Sequence, residues 1–362
     1  MRKVTAAVVM TAVLWVGTVS CSLMETDRSE CPEGLYVGFV YDYNTQRADM
    51  FKDHVGYVTL YLFDESDHLV MQRSAGNYGA DRPLASYGYR MHFLPGELPD
   101  GNYHMIAYAM QRDWDDALAA QGAKYRRTAL TAGSSRDELG VVLDRDRKNA
   151  DGYYPVSSIA PLDTLWYGTM LGASDVRVRH DSASYATVSL VRDTKTLNVT
   201  LRDLDNPAEP SAEKYALSII APNGRLDADN SILPDDTLLY TPYASWTTRF
   251  PEDAGDDDPD LQTTAHYDIN FNRLMFDGHE DEFAIMRLVN LEDGKLIGEF
   301  NLARLLAEGR SAFELMRYSS QEYLDREYDY RVDFILKGDK WCYISITVGI
   351  LSWSKRIVNT EL

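Results

Sequence analysis

Five apolar residues, Cys342, Ile344, Ile346, Val348 and Ile350, stand at every second position near the end of the chain, separated by Tyr343, Ser345, Thr347 and Gly349. Side chains of a strand alternate between its two faces, so this spacing predicts a strand with one face in a core and one in water. On a helix the same spacing would scatter apolar groups around the whole cylinder. The pattern therefore commits at least this part of the chain to a sheet.

Shorter versions recur along the chain. Residues 35–41 read as a first strand. Residues 55–63 and 68–73 read as a hairpin closed by Asp64, Glu65, Ser66 and Asp67. Residues 89–94 run into a Pro95-Gly96 turn, and 102–110 follow Asp100-Gly101. Residues 113–122 have helical composition, while 126–152 are polar and loop-like. A second set begins with 186–201, interrupted near Arg192-Asp193, and continues with 215–221, 282–289 and 328–336. One or two helical turns are expected at 302–306 and a solvated acidic loop at 252–260. Short strands at regular spacing indicate sandwiches rather than βαβ units. A length of 362 residues fits about two domains. The expected class is all-β, with sandwich domains at residues 31–185 and 186–362.

The N-terminus reads as a targeting segment. Arg2 and Lys3 precede an apolar stretch from Ala6 to Val16, then small residues lead to Cys21. A bilayer-spanning helix needs about 20 apolar residues, more than this stretch offers. Its length and flanks are those of a secretory signal, residues 1–20. Cys21 stands where bacterial lipoproteins carry their acylated cysteine, although Thr18 occupies the place where they usually carry Leu. Several acyl chains give stable anchoring where one does not. Residues 21–30 then form a short lipidated leash. Cys31 and Cys342 lie far apart in sequence and are expected as two buried thiols.

The net charge is −20, and removal of Arg2 and Lys3 leaves −22. Such a body repels a phosphate backbone, so nucleic acid is not an expected partner. Twenty-four tyrosines with frequent Val and Thr fit strands. The seven histidines fall in no HExxH or similar metal spacing, and no GxSxG, P-loop or GxGxxG is present. No catalytic residue and no cofactor are expected. Asp227 and Asp229 start like a calcium loop, but Ile232 and Leu238 occupy the positions that need Gly and Glu. Three Asp-Ser/Thr-aliphatic triplets resemble the O-glycosylation sequon of exported Bacteroidota proteins, and place candidate glycans on Thr164, Ser182 and Thr237.

The order of several short motifs resembles the FimB-type fimbrial anchor family of Bacteroidota. They are Cys31-Pro32-Glu33-Gly34-Leu35 leading into Phe39-Val40-Tyr41-Asp42-Tyr43-Asn44, then Val58 to Asp64, then Leu94-Pro95-Gly96 with Gly101-Asn102-Tyr103. Leu165-Trp166-Tyr167-Gly168, Glu322 to Tyr328, and Trp353 with Arg356 and Asn359 complete the series, which covers nearly all of the chain after Cys21. The resemblance implies two transthyretin-like or immunoglobulin-like sandwiches. It also implies a lipoprotein of the outer membrane that holds the base of a fimbria and limits its length. Its partner would be a stalk subunit joined by strand complementation, in which an extended segment completes a neighbour's sheet. Ile344, Ile346, Val348 and Ile350 could supply such a segment. Only nine residues follow Trp353, so the strand is more simply the last of its own domain. A stalk or tip position in the fibre fits the same motifs. A further reading is a surface lipoprotein that binds glycan or another ligand through Tyr87, Tyr89, Trp114, Tyr153, Tyr154, Tyr240, Tyr243 and Trp246.

Overall fold

A computed structural model of the chain describes residues 32–253, 255, 258–276, 284–338, 340–348 and 354–358; of 347, 348 and 354–358 it describes the backbone alone. Cys21, Cys31, Asp256, Asp257, His279, Ile350, Trp353 and Asn359 lie outside these residues.

The first half of the chain forms β1 (Gly34–Val40), α1 (Phe51–His54), β2 (Tyr57–Phe63), β3 (Leu69–Gly76), β4 (Arg90–Phe93), β5 (Gly101–Met110) and α2 (Trp114–Ala119). Short strands β6 (Tyr125–Arg127), β7 (Val141–Leu143) and β8 (Tyr154–Pro155) follow, then β9 (Leu165–Met170), β10 (Val176–Val178) and β11 (Ala183–Arg192). One sheet runs β3-β2-β5-β9-β11-β1-β4, with β10 added against β5. The 55–73 hairpin forms as expected, with β2 antiparallel to β3.

Every residue of β2, Tyr-Val-Thr-Leu-Tyr-Leu-Phe, is buried. A strand without polar alternation must be covered on both faces. Here Val58, Leu60 and Leu62 enter one core with Val37, Phe93 and Trp166. Tyr61 and Phe63 enter a second core that continues into the C-terminal half.

The second half comprises β12 (Lys195–Asp203), β13 (Tyr215–Ala221), β14 (Arg225–Leu226), β15 (Leu238–Tyr240), β16 (Ala244–Phe250), β17 (Gln262–Phe271), β18 (Ile285–Asn290) and β19 (Leu296–Asn301). Helices α3 (Leu302–Glu308), α4 (Ala312–Arg317) and α5 (Ser320–Arg326) then lead to β20 (Asp329–Leu336), β21 (Trp341–Val348) and β22 (Ser354–Val358). A six-stranded sheet, β16-β17-β12-β20-β21-β22, faces a five-stranded one, β19-β18-β13-β15-β8. Leu197, Val199, Tyr267, Val332, Phe334, Ile344 and Ile346 from the first share one core with Leu217, Ile219, Met286 and Leu288 from the second. This is a β-sandwich in which strands such as β12 and β18 contribute alternate residues.

The three helices α3 to α5 are short and start on polar caps. Asn301, Ser311 and Ser319 each accept a bond from the backbone N–H three residues ahead, satisfying a donor that the helix leaves unpaired. Ser311 and Glu314 form a reciprocal capping box.

Two features differ from the sequence expectation. The polar stretch 126–152 contains β7 and part of β6, and β7 pairs with β14 of the second half. The expected boundary at 185/186 falls inside β11, a continuous strand between β1 and β9. The chain leaves the first sheet at Asp193-Thr194 and enters the second at Lys195.

Candidate assembly interface

At the end of the six-stranded sheet, β16 pairs antiparallel with β17 on one side. On the other side it has no strand neighbour among the described residues. Ser245 to Phe250 are all exposed. Three other sheet ends are short or covered: β4 has four residues and β8 two, and a loop bonds along β3 through Ser134 O and Gly133 N to Leu69 at 2.8 Å. An unpaired edge offers a row of free N–H and C=O groups, and proteins usually blunt such edges with Lys or Pro. Residues 244–250 contain neither, and carry Trp246 and Phe250 instead.

The register builds a continuous row behind this edge. Trp246 stands opposite His266, His266 opposite Thr200, Thr200 opposite Asp333 and Asp333 opposite Ser345. The Trp246 and His266 rings stack at 5.0 Å with 5° between their planes. The Thr248 hydroxyl lies 2.8 Å from His266 Nε2. Partial burial and nearby Arg202 hold the His266 imidazole below its usual pKa, which favours its neutral form. Thr200 donates to Asp333. Beside the row a groove of about 530 Å³ is lined by Arg202, Phe250, Thr264, Ile335 and Tyr343. An edge strand of this kind can take one more strand by main-chain hydrogen bonding, with alternate side chains entering the groove.

A polar junction holds the two halves together. Lys195 is fully enclosed and donates to the carbonyls of Asp325 and Glu327, both at 2.9 Å. Arg273 forks onto Asp325 at 2.7 and 2.9 Å and also donates to the Asn230 carbonyl. Asn230 donates to Asp193 at 2.9 Å. Burial pushes the Asp193 carboxyl up and the Lys195 ammonium down from their ordinary pKa values. From the first sheet, the 43–47 loop reaches across. Thr45 donates to Glu327 at 2.8 Å, Arg47 donates to the Tyr318 hydroxyl at 3.1 Å, and Arg47 covers the Phe313 ring at 4.2 Å.

The residues singled out by sequence are dispersed rather than gathered. Ile344 and Ile346 are fully buried in β21, which is paired by β20 and β22. Only the backbone of Val348 is described. Thr164 is buried at the start of β9, out of reach of a glycosyl group in the folded chain; Ser182 is exposed and Thr237 half-buried. Asp229 accepts from Ser231 N within its own turn, and Asp227 from Ala228 N. No group of three metal-ligating side chains occurs among the described residues. Trp114 and Tyr240 are core residues, Tyr89, Tyr153, Tyr154 and Tyr243 are half-buried, and Tyr87 and Trp246 are exposed. No described helix is long and apolar enough to cross a membrane.

Strand β16, with its exposed Phe250, was missed by the sequence reading. The available signal was an extended β-branched and aromatic run, Trp246-Thr247-Thr248, bounded by Pro251.

A family model described as the fimbrillin-A associated anchor proteins Mfa1 and Mfa2 matches residues 28–359. No functionally curated protein matches the chain. Among solved structures, a candidate polysaccharide-binding protein of Bacteroides thetaiotaomicron is 29% identical, with 91% of this chain and 100% of that one covered and a TM-score of 0.69. A candidate adhesin of the same species is 24% identical, with coverages of 90% and 98% and a TM-score of 0.69. The fimbrial anchor protein Mfa2 of Porphyromonas gingivalis is 18% identical, with coverages of 88% and 98% and a TM-score of 0.59.

Proposed function

The chain belongs to the fimbrillin-A associated anchor protein family, and from that premise we propose that it tethers the base of a fimbria to the outer membrane and limits fibre length. Its coarser role, a fimbria-associated accessory or anchor protein of the cell surface, follows from the family itself. The observation that carries the finer reading is the extent of the match, residues 28–359, which spans both halves of the fold and the junction between them.

Three features support tethering. Cys21 would be the acylated residue, and its chains would carry the pull of the fibre into the membrane. The Thr45–Glu327 and Arg47–Tyr318 contacts would pass that pull between the two halves. The edge strand β16 would accept an extended segment of the neighbouring stalk subunit. We do not assign the donor role to β21, because Ile344 and Ile346 fill the chain's own core. Ser182 and Thr237 remain sites where an O-linked glycan could be carried.

Replacing Cys21 with Ala tests the tether. The expected outcome is loss of the protein from the membrane fraction together with release of fimbriae into the medium. Retention of Cys21→Ala in the membrane would remove the lipid from the account.

A further inference from the structure

Gly38 lies in the outward-facing series of β1, between Arg90 of β4 and Thr187 of β11 in one cross-strand row. A Cβ there would come no closer than 3.8 Å to any other group. The missing side chain therefore leaves a pit in the sheet surface. Gly38 lines a groove of about 380 Å³ together with Tyr87, Tyr89, Lys52 and Arg90. Tyr87 is 98% exposed. Tyr89 stacks on Phe39, and Phe39 on Phe51, with planes within 19°. Phe39 and Phe51 are core residues that hold Tyr89 in place, and Tyr87 and Tyr89 beside Lys52 and Arg90 give the mixture of rings and polar groups found in small-ligand sites.

The groove is lined by two cations and one carboxylate. The chain carries −20 overall. Arg73, Arg112, Arg126, Arg145 and Arg287 each meet a carboxylate within 2.7 Å. Arg90 has no carboxylate partner among the described residues and lies only over the Tyr185 ring at 5.2 Å. Lys52 meets only Asp53, at 3.9 Å. The carboxylate in the lining, Asp49, is turned to the backbone N–H groups of Tyr41 and Phe51 at 2.9 and 3.0 Å. Two cations thus face the groove beside aromatic rings.

An anionic ligand is favoured by charge, and its class follows from the backbone. β1 is already paired on both sides at Gly38, so its main chain offers no free hydrogen bonds along which a peptide could add as a strand. Recognition must come from ring faces and side-chain cations. The C–H edges of a pyranose pack against the electron-rich faces of aromatic rings, and a guanidinium matches a carboxylate in a two-bond fork. We propose that this groove binds a carboxylate-bearing oligosaccharide, with a sugar ring over Gly38 and the acid directed to Arg90 and Lys52.

Calorimetric titration of the full chain with a galacturonate tetrasaccharide, maltotetraose and pentaglutamate tests it. The galacturonate should bind saturably, at least tenfold more tightly than maltotetraose, and more weakly as salt rises. Gly38→Val fills the pit and should reduce affinity at least tenfold with an unchanged unfolding midpoint; Arg90→Gln should weaken binding severalfold and flatten the salt dependence. Tyr87→Ala, at a nearly fully exposed site, gives the same test should Gly38→Val not fold, again with an expected tenfold loss. The proposal is overturned if none of the sugars binds, if maltotetraose binds equally well, if pentaglutamate competes on equal terms, or if Gly38→Val or Tyr87→Ala folds and binds unchanged.

Discussion

Thr45 donates a hydrogen bond to the enclosed carboxylate of Glu327 across 282 positions of sequence, at 2.8 Å. The same carboxylate accepts from the backbone N–H groups of Tyr328 and Asp329 at 2.9 and 3.0 Å. One side chain therefore ties a loop of the first sheet to the entry of β20. Around it, Lys195, Arg273 and Asp325 add buried polar contacts beside the apolar core that both halves share. Breaking a buried ion pair by removing one partner leaves the other charge uncompensated, which costs about 3–5 kcal/mol. Asp325→Ala should lose about that much in urea unfolding. A loss under about 1 kcal/mol would mean that the junction contributes little to the fold.

The assignment of β21 to the chain's own core makes a separate prediction. Ile346 is fully buried, and Ile-to-Ala changes at such sites cost about 2–5 kcal/mol. Ile346→Ala should be destabilised by that amount in the isolated protein. A near-neutral effect would show that β21 is dispensable to its own sandwich and free to act as a donor.

The edge strand can be closed without disturbing the core. Trp246→Lys with Phe250→Lys places two charges on an exposed edge, the device by which sheets normally refuse a new strand. Stability should fall by no more than about 0.5 kcal/mol per surface change. Co-purification of a fimbrial subunit with the chain should be lost. Undiminished co-purification would move the stalk contact away from β16.

Legibility in the sequence followed the physics of each element. The β2–β3 hairpin and β21 were readable because one-sided burial or complete burial writes itself into spacing. β16 was not, since an edge strand exposed on both faces shows no alternation. The short strands β6 and β7 were read as loop because two or three residues carry too little pattern, and β7 finds its partner β14 more than eighty positions away. Arg192 and Asp193 read as a polar interruption, whereas in the fold Asp193 is enclosed and bonded by Asn230 of the 227–231 turn, and Lys195 close by it by carbonyls at the end of α5. Charge in sequence does not say whether water or a partner will meet it. The capping residues Ser311 and Ser319 were visible in the sequence as Ser-x-x-Glu, and reading them would have placed α4 and α5.

The central claim is the tether itself, and deletion of the gene followed by electron microscopy of the cell surface tests it most directly. The account predicts fimbriae that are longer than normal and shed into the medium, with bare cells where the base has been lost. Fimbriae of normal length that remain attached to the deletion strain would contradict it.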